Sequence, residues 1–392
     1  MSGMRFRAAA LAVALLATGV IVTGSSEPAA AVPSPGRTEL LSLASDGSQG
    51  DANAEGDESA TPVVSGDGRH TAFATLFALD PDDVDESWDI YVRSGNRTVR
   101  VSEPYGYNRN PAISADGRYV AYDRGTDGDR RVFVCDRDQD GDRIFDEPAD
   151  RRCIEVGRSD SYNSEPSLSD DATRMVWNED PNESGTARAV TARLTKDGNG
   201  RLIAPKSYVD LLPADPAASE VRGAEGPPRI SANGRHVVLP VLLCGYYCTT
   251  ALRGDQPLTL SGRAQPNYRR AVFAADLDTV RMTRLDVRAD GTVVGDDATR
   301  PVISGNGRMV AFASMDQSTE FDDVVVMDRD PDGDGVLGSG EPVSHQEIGE
   351  GEAPALSTDG RYLAFHSLGR GSTTDWTARP PTRWWSEISG CP

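Results

Sequence analysis

The sequence predicts an all-β chain folded as a six-bladed β-propeller, and three observations predict it. One short motif occurs six times, each copy reads as a β-hairpin, and no stretch shows the capped 3.6-residue periodicity of a helix.

The copies occupy residues 61–73 (TPVVSGDGRHTAF), 110–122 (NPAISADGRYVAY), 165–177 (EPSLSDDATRMVW), 227–239 (PPRISANGRHVVL), 300–312 (RPVISGNGRMVAF) and 353–365 (APALSTDGRYLAF). Each holds a proline, a short apolar run, a serine, an Asp/Asn-Gly pair and a second apolar run. Gly68, Gly117, Gly234, Gly307 and Gly360 share one slot, and Ala172 is the one departure. Asp-Gly between apolar runs is a hairpin signal, because the turn needs a residue with positive φ. Proline cannot donate to a ladder, so it belongs at a strand start or a sheet edge. The second run is nearly all apolar, as in a strand covered on both faces, and stacked propeller blades supply that setting.

Two more strands are expected after each hairpin: Trp88 to Arg93 and Arg97 to Ser102, then Arg131 to Cys135 and Arg152 to Val156, with Asp323 to Met327 in the fifth unit. The long interval from Gly234 to Gly307 holds no seventh motif and reads as an insertion around Cys244 to Pro266. After the sixth motif only a short tail follows, whereas Thr38 to Leu43 (TELLSL) precedes the first. That segment is expected to complete the sixth blade and close the ring, which removes both open sheet edges.

Residues 1–31 read as a secretory signal peptide: Arg5 and Arg7, an apolar run from Ala8 to Val22, and cleavage after Ala31. Residues 32–392 then form one propeller domain, expected to be extracellular, monomeric and without a membrane span. The formal charge of −21 disfavours nucleic acid, which needs basic patches, and favours divalent cations. Five cysteines in an exported chain predict disulfides Cys135–Cys153 and Cys244–Cys248, with Cys391 free.

The repeats resemble those of the TolB family of β-propellers, whose blades carry Pro-x-Ile-Ser-x-Asp-Gly-x-x-Val-Ala-Phe. Asn110 to Tyr122 and Arg300 to Phe312 match it best, and IYVRSGNRTVRVS from Ile90 is similar to the third and fourth strands of secreted actinobacterial members. The resemblance implies the fold and leaves the function open, because such propellers serve as interaction modules, peptidase accessory domains and enzymes. TolB's helical N-terminal domain has no counterpart here, so its envelope-complex role is not implied.

Two loops carry the sharpest chemical signal. Asp136, Asp138, Asp140, Asp142, Asp146 and Glu147 lie between the third and fourth strands of the second unit; Asp330, Asp332, Asp334 and Glu341 occupy the same slot in the fifth. Alternating carboxylates on a tight loop, a glycine at the turn and a late glutamate form an oxygen cage for Ca²⁺. The first loop fits a register starting at Asp136 or one starting at Asp138, and the second starts best at Asp330.

Catalytic patterns are thin. His70 and His236 fill a framework slot of the motif, His345 and His366 are isolated, and there is no nucleophile elbow, zinc motif or phosphate loop. Cys244 and Cys248 make a weak metal pair, and Tyr246, Tyr247, Trp384 and Trp385 read as rim or tail aromatics before they read as a sugar platform. The expected function is a calcium-stabilised, non-catalytic binding module for a protein or cell-wall glycan. The alternative is a lyase or hydrolase working from a central funnel, with His345 or His366 beside two carboxylates.

Overall fold

The computed structural model describes residues 40–48, 62–85, 87–104, 106–126, 129–147, 150–181, 187–198, 201–211, 221–244, 268–295, 297–315, 322–337, 343–366 and 386–387. The chain divides into Met1–Leu40 and Leu41–Pro392, and the second unit holds every sheet. The expected signal peptide, Glu341, Cys248, Cys391 and the four candidate rim or tail aromatics lie outside the described residues.

Among the described residues there is no helix, and each motif lies in its own sheet, antiparallel but for one short strand of the sixth. The first sheet runs Val63–Val64, His70–Thr75, Asp89–Ser94, Arg97–Arg100, and the second Asn108–Ile113, Tyr119–Thr126, Asp129–Asp136, Arg152–Val156. The third pairs Ser161–Leu168, Arg174–Pro181, Arg188–Arg193 and Val209–Asp210, with a side hairpin of Thr195–Lys196 and Leu202–Ile203. In the fourth, Val221–Ala224 and Arg229–Ile230 share the partner His236–Cys244, followed by Tyr268–Asp276 and Arg281–Arg284. The fifth is Asp297–Ile303, Met309–Met315, Asp322–Asp328, Ser344–Glu350. The sixth has Glu352–Leu356 and Tyr362–His366, with Ser386–Glu387 paired in parallel to Tyr362–Leu363. The predicted insertion falls between the second and third strands of the fourth sheet, since Cys244 pairs with Tyr268.

The second strands of the first five sheets divide their side chains between two cores. Met175 and Trp177 join Tyr119, Ala121, Val132 and Val134 of the second sheet. Val176, between them, joins Val237, Leu239 and Ala271 of the fourth. The same alternation links the first sheet to the second, the fourth to the fifth, and the fifth to the sixth. A strand with both faces buried needs no polar alternation, which accounts for the unbroken apolar runs.

All six motif turns have one geometry. The serine N–H donates to the carbonyl of the residue five positions on, Ser65 to His70 (2.8 Å) for example, and that residue's N–H donates back to the serine Oγ (3.0 Å). The serine hydroxyl also donates to the Asp or Asn side chain, which accepts the N–H two residues later. Positive φ falls only on the glycine slot, with Ala172 at 50° in the third motif. Successive turns are joined backbone to backbone: Asp67 N–H to Ala115 O, Ala115 to Asp170, Asp170 to Ala232, Asn233 to Gly305 and Gly305 to Thr358.

The motif prolines take both expected settings. Pro62 and Pro228 stand directly before Val63–Val64 and Arg229–Ile230, and Pro111, Pro166, Pro301 and Pro354 lie within edge strands, at β-bulges whose preceding residues Asn110, Glu165, Arg300 and Ala353 have φ of 50–56°. A bulge leaves one residue unpaired, so the missing N–H removes no ladder bond. The described residues of Thr38–Leu43, Leu40 to Leu43, form no strand with the sixth sheet. Leu43 O instead accepts from Arg93 Nη1 (3.1 Å) and Thr98 Oγ1 (2.5 Å), and Ser45 Oγ donates to Thr98 O (3.0 Å). These bonds, with Ala44 packed beside Phe73 and Tyr91, hold the segment on the first sheet.

Candidate metal centres

The first acidic loop stands on a clamped base. Cys135 and Cys153 face each other across the third and fourth strands of the second sheet and form a disulfide, with Cα atoms 3.9 Å apart. In the fifth sheet the same ladder position holds Met327 opposite His345. Of the other predicted pair, Cys244 ends its strand and Cys248 is outside the described residues.

The two loops match residue by residue. Asp136 is held bidentately by Arg118, at 2.7 and 2.9 Å, and Asp328 likewise by Arg308, at 2.7 Å to each oxygen. Arg137 and Arg329 each donate to the carbonyl of the motif glycine, Gly117 and Gly307, at 2.6 Å. Asp138 Oδ1 accepts the Arg143 N–H (3.3 Å), and Asp330 Oδ2 accepts that of Gly335 (3.2 Å). Arg143 (φ 74°) stands where the second loop has Gly335 (φ 81°).

Arg118 also reaches Asp138, 3.2 Å from Nη1 to Oδ2, as Arg308 reaches Asp330 at 3.6 Å, so either register of the first loop puts its first carboxylate beside an arginine. Arg137 Nε and Nη2 bind the Asp146 carboxylate in a buried pair. The structure brings together Asp138, Asp140 and Asp150, and separately Asp140, Asp142 and Glu147, each group with ligand oxygens within 4.8 Å of one another. Asp330, Asp332 and Asp334 form the equivalent group in the second loop.

Asp150 is the residue that spacing missed. It is the thirteenth residue counted from Asp138, beyond the window of the acidic run. Its Oδ1 accepts the N–H groups of Gln139 (2.6 Å) and Asp140 (3.0 Å). Its Oδ2 is buried without a partner, and so is Asp330 Oδ1; the two residues are 8% and 6% exposed. A buried carboxylate oxygen with nothing to accept is costly unless a cation meets it. Several carboxylates, nearby loop carbonyls and a flexible turn suit Ca²⁺ better than the tight octahedron of Mg²⁺.

A third acidic group, Asp83, Asp85 and Asp89, already holds a cation of its own. Arg100 Nη1 lies 3.3 Å from Asp83 and 3.4 Å from Asp89. Burial raises the Asp89 carboxyl to about 6, and the hydrogen bond from Ser102 and the charge of Arg100 partly oppose it.

The first loop also walls a cavity of about 880 Å³ between the first two motif turns, lined by Arg69, His70, Arg97, Asp138, Arg143 and Phe145 among others. The histidines are framework groups. His70 Nδ1 is 2.6 Å from Ser94 Oγ, and burial lowers its pKa. His236 is buried and lowered to about 4 by desolvation. His345 Nε2 bonds Leu285 O at 2.8 Å, and exposed His366 meets one carboxylate, Glu352, at 3.3 Å. Among the described residues, neither has two carboxylates within hydrogen-bond reach.

No family profile and no curated protein matches the sequence. Among solved structures the chain is similar to TolB from Acinetobacter baumannii (16% identity, 76% of this chain and 56% of that one, TM-score 0.43). It is similar to oligogalacturonate lyase from Vibrio parahaemolyticus (15%, 76% and 67%, TM-score 0.42). The periplasmic gluconolactonase of Pseudomonas aeruginosa is a further neighbour (20%, 79% and 73%, TM-score 0.39). The chain spans little more than half of that TolB, and at TM-scores below 0.5 these likenesses assign neither family nor activity.

Proposed function

We propose that this chain is an exported, calcium-stabilised six-bladed β-propeller that works as a non-catalytic binding module. The observation that carries the calcium part is the pair of buried, unpartnered oxygens, Asp150 Oδ2 and Asp330 Oδ1, at matching acidic loops. Asp138, Asp140 and Asp150 would hold the first ion, with Asp142 and Glu147 close by, and Asp330, Asp332 and Asp334 the second. The ions are structural: each ties the third strand of a sheet to its loop and adds stability by binding only the folded chain.

The ring reading is supported by five cores shared between successive sheets and by the backbone bonds that join the six turns in order. The binding reading is supported by histidines committed to framework contacts and by the large cavity beside the first loop. Export follows from the signal peptide, and the partner we propose is an extracellular protein or cell-wall glycan met by a monomer.

The test is expression of the full chain in a secreting host. The protein should leave the cell beginning at Val32 and melt higher in calcium than in chelator. Retention in the cytoplasm refutes export, and equal melting in both buffers refutes the calcium role.

A further inference from the structure

We infer that the cavity beside the first acidic loop binds a small ligand carrying carboxylate or phosphate groups, of about disaccharide size. This deepens the binding-module reading by naming the ligand class. It stands on arginines, and because Asp138 belongs to both the cavity wall and the proposed calcium site, the experiment reads the two ligands separately.

The chain carries a formal charge of −21, yet this cavity gathers five of its arginines. Arg118 pairs with Asp136 and Asp138, and Arg137 with Asp146. Among the described residues the other three have no carboxylate within ion-pair distance, and Asp67 and Asp116 stand on the same wall. Arg97 donates Nη1 to Phe145 O and Nη2 to Asp146 O, both at 2.8 Å, so its guanidinium is anchored by carbonyls rather than by a carboxylate. Arg69 and Arg143 are exposed, and no side-chain hydrogen bond or ion pair holds either guanidinium. Both line the cavity.

Three guanidiniums without an ion-pair partner among the described residues are forks for an oxyanion, since each presents paired N–H donors that match a carboxylate or phosphate edge. The volume of about 880 Å³ is that of a small-molecule site rather than of a flat protein interface. Phe145 and Val99 supply apolar wall between the charges. Arg143 holds positive φ in a slot where the second loop uses glycine. Strain of that kind persists where the surroundings enforce it, and here it places a charged side chain on the cavity.

The test uses calorimetric titration of the exported protein with three probes: a diuronate, a hexose phosphate and a neutral disaccharide. Arg69→Ala and Arg143→Gly are compared with the wild type, and glycine at 143 copies the second loop. At least one anionic probe should bind at millimolar concentration or below, and the neutral sugar should not. Each substitution should weaken binding about tenfold, and the melting temperature should not fall. Failure of both anions to bind, undiminished binding by the double variant, equal binding of the neutral disaccharide, or binding of an acidic hexapeptide in place of both probes overturns the inference. Calcium is titrated into the same samples. Calcium binding by a protein that refuses both anions overturns the ligand class and leaves the calcium reading standing, whereas anion binding without calcium does the reverse.

Discussion

The imidazole of His236, in the fourth motif, lies directly beneath Gly307 of the fifth, where an added Cβ would collide with its Cδ2. The relationship recurs along the chain. His70 lies under Gly117, Arg174 beside Gly234 and Met309 under Gly360. The residue after Gly-Arg in one motif thus sets the space available to the glycine slot of the next.

This predicts unequal costs for one substitution. Gly68 has positive φ (72°) but nothing within 4 Å of its would-be Cβ, whereas Gly307 has both positive φ (83°) and the collision. Gly68→Ala should cost about 1–2 kcal/mol, the strain of a left-handed residue. Gly307→Ala should add about 1–3 kcal/mol of overpacking. Denaturant unfolding of both variants checks this, and equal losses would show that the packing between motifs carries no weight.

His236 should make the fold sensitive to mild acid. Its pKa is lowered in the folded state from the ordinary 6.5 to about 4, by burial first and by Arg329 next. The unfolded chain therefore takes up a proton before the folded chain does. Stability from this group is present above 6.5 and is lost as pH falls toward 4, by about 3 kcal/mol at most. Asp89, raised to about 6, acts in the opposite direction, so a variant is needed to isolate the histidine. His236→Met, the residue used in the same slot of the fifth motif, should melt less pH-dependently than the wild type between pH 6.5 and 4. A parallel pH profile for the two proteins would exclude the mechanism.

Much of the fold was legible because its signals are local. A serine, an Asp or Asn and a glycine within four residues close their own turn, and both-face burial leaves an apolar run that needs no partner to be read. Closure was not legible. TELLSL has the composition of a strand, but Leu43 and Ser45 are held by Arg93 and Thr98, contacts that sequence spacing does not reveal. The acidic loops were found by spacing, which does not show what each carboxylate touches. Arg118 and Arg137 grip Asp136 and Asp146, and Asp150 joins Asp138 and Asp140 only because the loop folds back over Gln139 and Asp140.

The disulfide should separate the two loops. It closes a segment with a sequence separation of 18 around the first loop, and the second loop has no bridge. Replacing Cys135 and Cys153 together by alanine should cost about 3 kcal/mol of stability. It should also weaken calcium at the first loop, because the clamped base no longer holds the carboxylates close to their bound geometry. The second loop should be unaffected. Titration of Asp330→Asn proteins with and without the bridge isolates the first site; equal affinity in the two would refute preorganisation.

The central claim, that two buried carboxylate oxygens await calcium, is tested most directly by calorimetric titration of calcium into the wild type, Asp150→Asn and Asp330→Asn. The wild type should bind two ions, each variant should bind one, and magnesium should bind more weakly than calcium. A wild type that takes up no calcium at millimolar concentration, or that binds magnesium equally tightly, would contradict the account.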